Sequence, residues 1–176
     1  SYLGDSMNWE PFTPSRWSLV SDGGDMKYGI NISSFEALAG GALGERSLIK
    51  NRTYTDFSFQ AKVRSTENFS TNTTSDYNVI FGYKDASNYY YMMYNSASSN
   101  TELWKVVGGT RTSIAKANFA VPDTSYHTVK VERTGSTIRA YFDGVQRLSA
   151  TDSTFGSGRI GIGGFNDASY WDDITI

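Results

Sequence analysis

The sequence predicts an all-β chain folded as a two-sheet antiparallel β-sandwich of the jelly-roll kind. Three observations carry that reading. Short runs of strand-forming residues alternate with polar turn clusters along the whole length, mostly at the roughly 8–12-residue spacing of all-β folds. No segment sustains the three-and-four apolar spacing of an amphipathic helix, and Ser34 to Leu38 is the one weak helical candidate. The composition supplies rings for a core and glycines for turns, with 12 Tyr, 10 Phe, 4 Trp, 17 Gly, 3 Pro and no Cys in 176 residues.

The elements follow in order. Trp17 to Val20 runs into the turn Ser21-Asp22-Gly23-Gly24-Asp25, and Tyr28 to Ile32 and Ser47 to Lys50 come next. From Asp56 to Arg64 the alternation is clean: Phe57, Phe59, Ala61 and Val63 share one face, and Ser58, Gln60, Lys62 and Arg64 the other. That is a half-buried strand. The polar stretch Ser65 to Asp76 reads as a long loop. Tyr77 to Tyr83 and Asn88 to Tyr94 flank Lys84-Asp85-Ala86-Ser87 as a hairpin. Leu103 to Val107 and Thr110 to Ala115 flank Gly108-Gly109, a two-residue turn whose glycines supply the positive φ that such hairpins need. His127 to Arg133 and Thr137 to Phe142 surround Thr134-Gly135-Ser136. Asp143-Gly144 turns into Val145 to Ala150, and Arg159 to Phe165 and Ser169 to Ile176 close the chain.

Length and composition bound the function. A chain of 176 residues is one domain, spanning residues 1–176, and buries about 70% of the surface its unfolded form exposes, so it holds a core without disulfides. A net charge of −2 offers no cationic excess for phosphates, so no nucleic-acid partner is expected. The absence of cysteine excludes thiol catalysis and thiolate metal sites. No run approaches the ~20 apolar residues of a membrane-spanning helix. The start at Ser1 without a leader pattern suggests a module of something longer, monomeric in itself.

Catalytic motifs are sparse. The single histidine, His127, opens a strand and has no nucleophile motif around it. Gly156-Ser157-Gly158-Arg159-Ile160-Gly161 fits a dinucleotide fingerprint but leads into an alternating strand, so no helix N-terminus awaits a pyrophosphate. Ser47-Leu48-Ile49-Lys50 lacks the companion elements of a serine acylase. Four N-glycosylation sequons reflect a chain rich in Asn, Ser and Thr. A glycosidase pair of carboxylates on one strand would read Glu-x-Asp, and no such string occurs.

Aromatic and amide chemistry is plentiful instead. In Asn88 to Tyr94 one face carries Tyr89, Tyr91 and Met93 and the other Asn88, Tyr90, Met92 and Tyr94. Both faces cannot be core in a two-layer sandwich, so one row of tyrosines is expected on an outer face. Rings that stack on the C–H faces of sugars, rimmed by amides and charges that bond hydroxyls, make a glycan site. The expected site residues are Asn78, Tyr89, Tyr91, Trp104 and Lys105, followed by Arg139 and Tyr141.

These residues also carry a family resemblance. Tyr77-Asn78-Val79-Ile80-Phe81-Gly82-Tyr83-Lys84-Asp85-Ala86-Ser87-Asn88-Tyr89-Tyr90-Tyr91 resembles the central hairpin of concanavalin A-like and laminin G-like jelly-roll domains. Tyr126-His127-Thr128-Val129-Lys130-Val131 with Ile138 to Gly144, and Gly158-Arg159-Ile160-Gly161-Ile162-Gly163 with Trp171-Asp172-Asp173-Ile174, resemble the strand pairs that close such domains. The resemblance covers residues 54–176 well and 1–50 loosely. It implies a non-catalytic carbohydrate-binding module or lectin-like domain. Such a module would bind a poly- or oligosaccharide, secreted or extracellular and appended to a polysaccharide-degrading enzyme. A jelly-roll polysaccharide lyase or glycoside hydrolase, and a laminin G-like protein-binding adhesion module, are the alternatives. The missing cysteines favour a bacterial source. The resemblance also implies a structural Ca²⁺ joining the first and last strands, with Asp5, Asp22 and Asp172 in matching places.

Overall fold

Period-two alternation builds most of the chain into strands. The structure, a computed structural model, describes residues 8–31 and 34–176. In chain order the strands are β1 (Trp9–Pro11), β2 (Trp17–Asp22), β3 (Asp25–Ile30), β4 (Glu45–Ile49), β5 (Phe57–Ser65), β6 (Asp76–Asp85) and β7 (Asn88–Asn95). They continue as β8 (Glu102–Val107), β9 (Thr110–Lys116), β10 (His127–Thr134), β11 (Thr137–Phe142), β12 (Val145–Thr151), β13 (Arg159–Gly164) and β14 (Ser169–Thr175). They form two seven-stranded sheets, ordered β1-β4-β13-β6-β7-β8-β9 and β12-β11-β10-β5-β14-β3-β2. The pairings given are all antiparallel, so the architecture is the predicted sandwich. The Gly108-Gly109 hairpin stands as expected, with φ of 57° and 83°. Ser34 to Leu38 is not a helix; a short 3₁₀ turn follows at Ala39–Gly41.

The core between the sheets takes Phe59, Ala61 and Val63 from β5, Val129 and Val131 from β10, and Tyr90, Met92 and Tyr94 from β7. Tyr90 stacks on Phe81 at 5.0 Å between ring centres, and the Tyr94 hydroxyl donates to the Tyr141 carbonyl at 2.9 Å. Each fully buried large side chain contributes about 1.5–3 kcal/mol relative to exposure.

The outer face of the first sheet is also largely buried. Tyr89, Tyr91, Ile80, Leu48 and Val106 form a second apolar cluster with Ala42 and Leu43. The segment 34–44 lies across these strands as a partial third layer. The Tyr89 hydroxyl accepts the Leu43 N–H at 3.0 Å, and the Tyr91 hydroxyl donates to the Gly41 carbonyl at 3.1 Å. Gly40 has φ of 76°, and a Cβ there would lie 2.1 Å from the Gly109 carbonyl oxygen. The segment can therefore reach the β8–β9 turn only with glycine at this position. The expectation that a sandwich leaves one tyrosine row open is corrected accordingly. Tyr89 and Tyr91 are the outer row, and both are fully buried.

Candidate functional site

Four strands set up the candidate site through their register. Asp76 of β6 opposes Asn95 of β7. One row along, Asn78, Met93, Glu102 and Lys116 line up across β6, β7, β8 and β9. The next row is Ile80, Tyr91, Trp104 and Ser113, and beyond it Tyr89 opposes Val106, which opposes Arg111. The face thus grades from polar to apolar. Segment 34–44 covers the apolar end and leaves the polar end open.

A cavity of about 190 Å³ sits at that boundary. Its lining includes Asp76, Met93, Asn95, Glu102, Trp104 and Arg111, closed on one side by Phe165 and Asn166 from the β13–β14 turn. The Arg111 guanidinium lies 4.1 Å from the Trp104 ring centre and 4.7 Å from that of Phe165. It donates to the Tyr91 hydroxyl at 3.2 Å. Trp104 also stacks on Tyr91, 6.5 Å between centres at 22°. The result is a packed column of Tyr91, Trp104, Arg111 and Phe165. Its indole Nε1 is buried without an acceptor among the described residues.

The charges are unevenly compensated. Glu102 is nearly buried, 3.5 Å from the Lys116 ammonium. Burial, and then the neighbouring carboxyl of Asp167, push the Asp76 carboxyl well above its ordinary range. Burial likewise raises the Tyr91 phenol. Arg111 has N–H groups left after its bond to Tyr91, and Glu102, Asn95 and Asn100 add acceptors and donors. A planar fork beside carboxylates and amides can hold vicinal hydroxyls from several directions.

The seven expected binding residues fall in three places. Trp104 lines the pocket. Asn78, Tyr89 and Tyr91 lie on the same face but beneath the surface, Asn78 donating to Asp76. Lys105 points the opposite way from Trp104, as successive strand residues must. Its ammonium bonds Asp152 at 2.7 Å and Thr154 at 3.0 Å at the sandwich edge. Arg139 and Tyr141 belong to the outer face of the other sheet, where the Tyr141 hydroxyl donates to Glu132 at 3.0 Å. Sequence reasoning missed Asp76, Glu102 and Arg111. The same alternation that paired Tyr89 with Tyr91 puts Asp76 with Asn78 and Glu102 with Trp104. The two-residue turn at Gly108-Gly109 puts Arg111 opposite Val106. Asp76 and Glu102 are two carboxylates in one pocket on different strands, an arrangement that a search for Glu-x-Asp along a single strand does not detect.

At the junction of the first and last strands, Asp172 meets the Lys27 ammonium at 2.5 Å, and Asp22 accepts from the Tyr126 hydroxyl at 2.7 Å beside Arg64 at 3.4 Å. Asp5 lies outside the described residues. Lys27 and Arg64 supply the positive charge that the carboxylates of this junction call for. No group of three or more His, Asp or Glu side chains suited to a metal occurs among the described residues. His127 is held by Asp143 at 2.8 Å and Asp123 at 3.1 Å. Ser125, 3.4 Å from its Nε2, gives its hydroxyl to Asp123, so the cluster fixes two turns rather than activating a nucleophile.

The chain matches no family model and no curated protein. Solved structures are similar to it, some of them over nearly their whole length. A carbohydrate-binding module, CBM66, from Bacillus subtilis superposes with a TM-score of 0.73 at 16% identity, over 96% of this chain and 94% of that one. A Bacillus subtilis protein of unknown function with a galectin-like fold gives 0.63 at 11%, covering 96% and 88%. A Bacteroides ovatus GH16 protein in complex with a G4G4G3G product gives 0.61 at 11%, covering 99% and 97%. The chain has the concanavalin A-like jelly-roll fold. No helix among the described residues is long and apolar enough to cross a membrane.

Proposed function

We propose that the protein is a non-catalytic carbohydrate-binding module that seats a sugar unit of a poly- or oligosaccharide in the Trp104–Arg111 pocket. It would work outside the cell, appended to a polysaccharide-degrading enzyme. The observation that carries the reading is the pocket itself, where an aromatic-clamped guanidinium shares a lining with Asp76, Glu102 and Asn95. Its volume of about 190 Å³ is below the ~300–1,000 Å³ of sites for drug-sized ligands, which suits one sugar ring. The neighbours described as a carbohydrate-binding module and as a GH16 protein holding a glucan product lend the reading support. A few charge-assisted hydrogen bonds, each ~1.5–3 kcal/mol, give micromolar-to-millimolar affinity once ordering costs are met.

Affinity electrophoresis on gels of xylan, arabinan, fructan, mannan and mixed-linkage β-glucan, run with a reducing-end assay, tests this. Retention on one gel without reducing-end release is the expected result. Absence of retention on all of them overturns it. A second reading, glycoside hydrolysis, is favoured by the presence of Asp76 and Glu102 in one pocket; it requires reducing-end release that Glu102→Gln abolishes.

A further inference from the structure

We propose that Asp76 and Asp167 share a proton that latches one wall of the pocket, so that the wall loosens and glycan affinity falls as pH rises. The proposal rests on the carbohydrate reading only for its second half. Asp76 is 1% exposed and Asp167 3%, and neither forms an ion pair among the described residues. The two buried carboxyls neighbour one another across the Asp76 N–H, and burial with a like charge beside it pushes the Asp76 carboxyl above its ordinary range, so one O–H between them is the arrangement that avoids two buried charges. The Asp76 N–H donates to Asp167 Oδ2 at 3.1 Å, and the Asn72 amide donates to Asp167 Oδ1. Asp76 Oδ1 accepts the Phe165 N–H at 2.9 Å and the Asn78 amide.

The pair reaches the pocket through the chain. Phe165 hangs from Asp76 by its backbone N–H and forms the ring wall against Arg111; Asn166 follows, and Asp167 closes the turn. The other side of this turn is held by the Gly44 N–H on the Phe165 carbonyl at 3.1 Å, the Thr66 N–H on the Ala168 carbonyl at 3.1 Å and the Ala168 N–H on Glu67 at 3.2 Å. The charged groups around Asp76 and Asp167 are mostly acidic. Glu67 comes from the 66–75 loop, its own carboxyl raised by burial, and Glu102 from β8 with Lys116 behind it. Arg111 from β9 lies on the pocket side, between the rings. On β4, Glu45 is paired with Arg16, and Arg46 lies over the Phe12 and Tyr83 rings.

Losing the shared proton places like charges in contact where water cannot screen them. The folded state holds this proton more tightly than the unfolded chain. Stability therefore falls as pH rises from the unfolded carboxyl value of ~3.9 through the folded value, then levels off. Wall order follows the same course, because Phe165 hangs from Asp76.

The test uses the whole protein and needs no sugar for its first arm. Carboxyl carbon NMR from about pH 4 to about pH 9, with the Trp104 indole N–H signal followed in parallel, reads the pair and the pocket together. The expected result is an aspartate titrating well above the ordinary carboxyl range, with the Trp104 signal moving at the same midpoint. Both transitions vanish in Asp167→Asn. If every aspartate titrates in the ordinary range, or Trp104 ignores the transition, the latch is refuted on wild-type protein alone. A Trp104 response to millimolar Ca²⁺ that Asp167→Asn removes refutes it in favour of a metal site. The second arm repeats the polysaccharide gels across the same pH range. Retention that does not vary with pH refutes the latch and leaves the carbohydrate reading intact. A transition in Trp104 without retention on any gel supports the latch and overturns the carbohydrate reading.

Discussion

Arg111 carries the most weight of any residue in the proposed site. Its guanidinium completes the column with Trp104 and Phe165 and faces the opening. Arg111→Ala is expected to weaken glycan retention tenfold or more, about 1.4 kcal/mol, with little change in melting temperature. Arg111→Lys is expected to fail as a rescue, since an ammonium neither stacks flat between rings nor forks. Titration calorimetry against the retained polysaccharide checks both. Lys105 is expected to behave in the opposite way. Burial would raise the Asp152 carboxyl, but the Lys105 ammonium and the Tyr90 and Thr154 hydroxyls overcome it and hold it well below the usual carboxylate range. That contribution to stability is complete above the unfolded value of ~3.9 and is lost as pH falls further. Lys105→Ala is expected to cost about 1.5–3 kcal/mol near neutrality, with the difference from wild type shrinking in acid and glycan binding unchanged. Urea unfolding at several pH values measures it.

At the scale of elements, the strands were legible and the cover was not. The alternation of Phe57 to Arg64, the tyrosine run at Asn88 to Tyr94 and the glycine pair at 108–109 each encode a local geometry, and each appears as read. Segment 34–44 encodes nothing periodic. Its place follows from Leu43, Gly40 and Gly41 meeting partners more than 40 residues away, a relation that strand parity cannot express. Hence parity alone reads Tyr89 and Tyr91 as solvent-facing where they lie under the cover, and passes over Asp76 and Arg111 at the open end. Gly40→Ala tests the cover directly. The backbone is left-handed there and the added methyl meets the Gly109 carbonyl, so a loss of roughly 1–3 kcal/mol is expected, with Tyr89 and Tyr91 opening to solvent. Thermal melting with a dye that binds exposed apolar surface reads both effects. At the strand junction, Lys27 and Arg64 already balance the aspartates. EDTA followed by excess Ca²⁺ is expected to leave the melting temperature unmoved; a rise with Ca²⁺ shows that the junction holds a metal.

At the scale of the whole molecule, the sandwich offers two broad outer faces of different character. The second sheet's face carries Lys62, Lys130, Glu132, Arg139 and Tyr141, which largely pair with one another or with near neighbours. The first sheet's face is capped over its apolar half, and beside the cap lies the pocket, where buried polar groups cluster around Trp104 and Arg111. The central claim is that glycan binds at this opening. Side-chain NMR of the protein titrated with oligosaccharides cut from the retained polysaccharide tests it most directly. The account predicts saturable shifts of the Trp104 indole and Arg111 guanidinium signals, with Tyr141, Arg139 and Lys105 unmoved. Shifts confined to the Tyr141 face, with Trp104 and Arg111 silent at saturation, would contradict it.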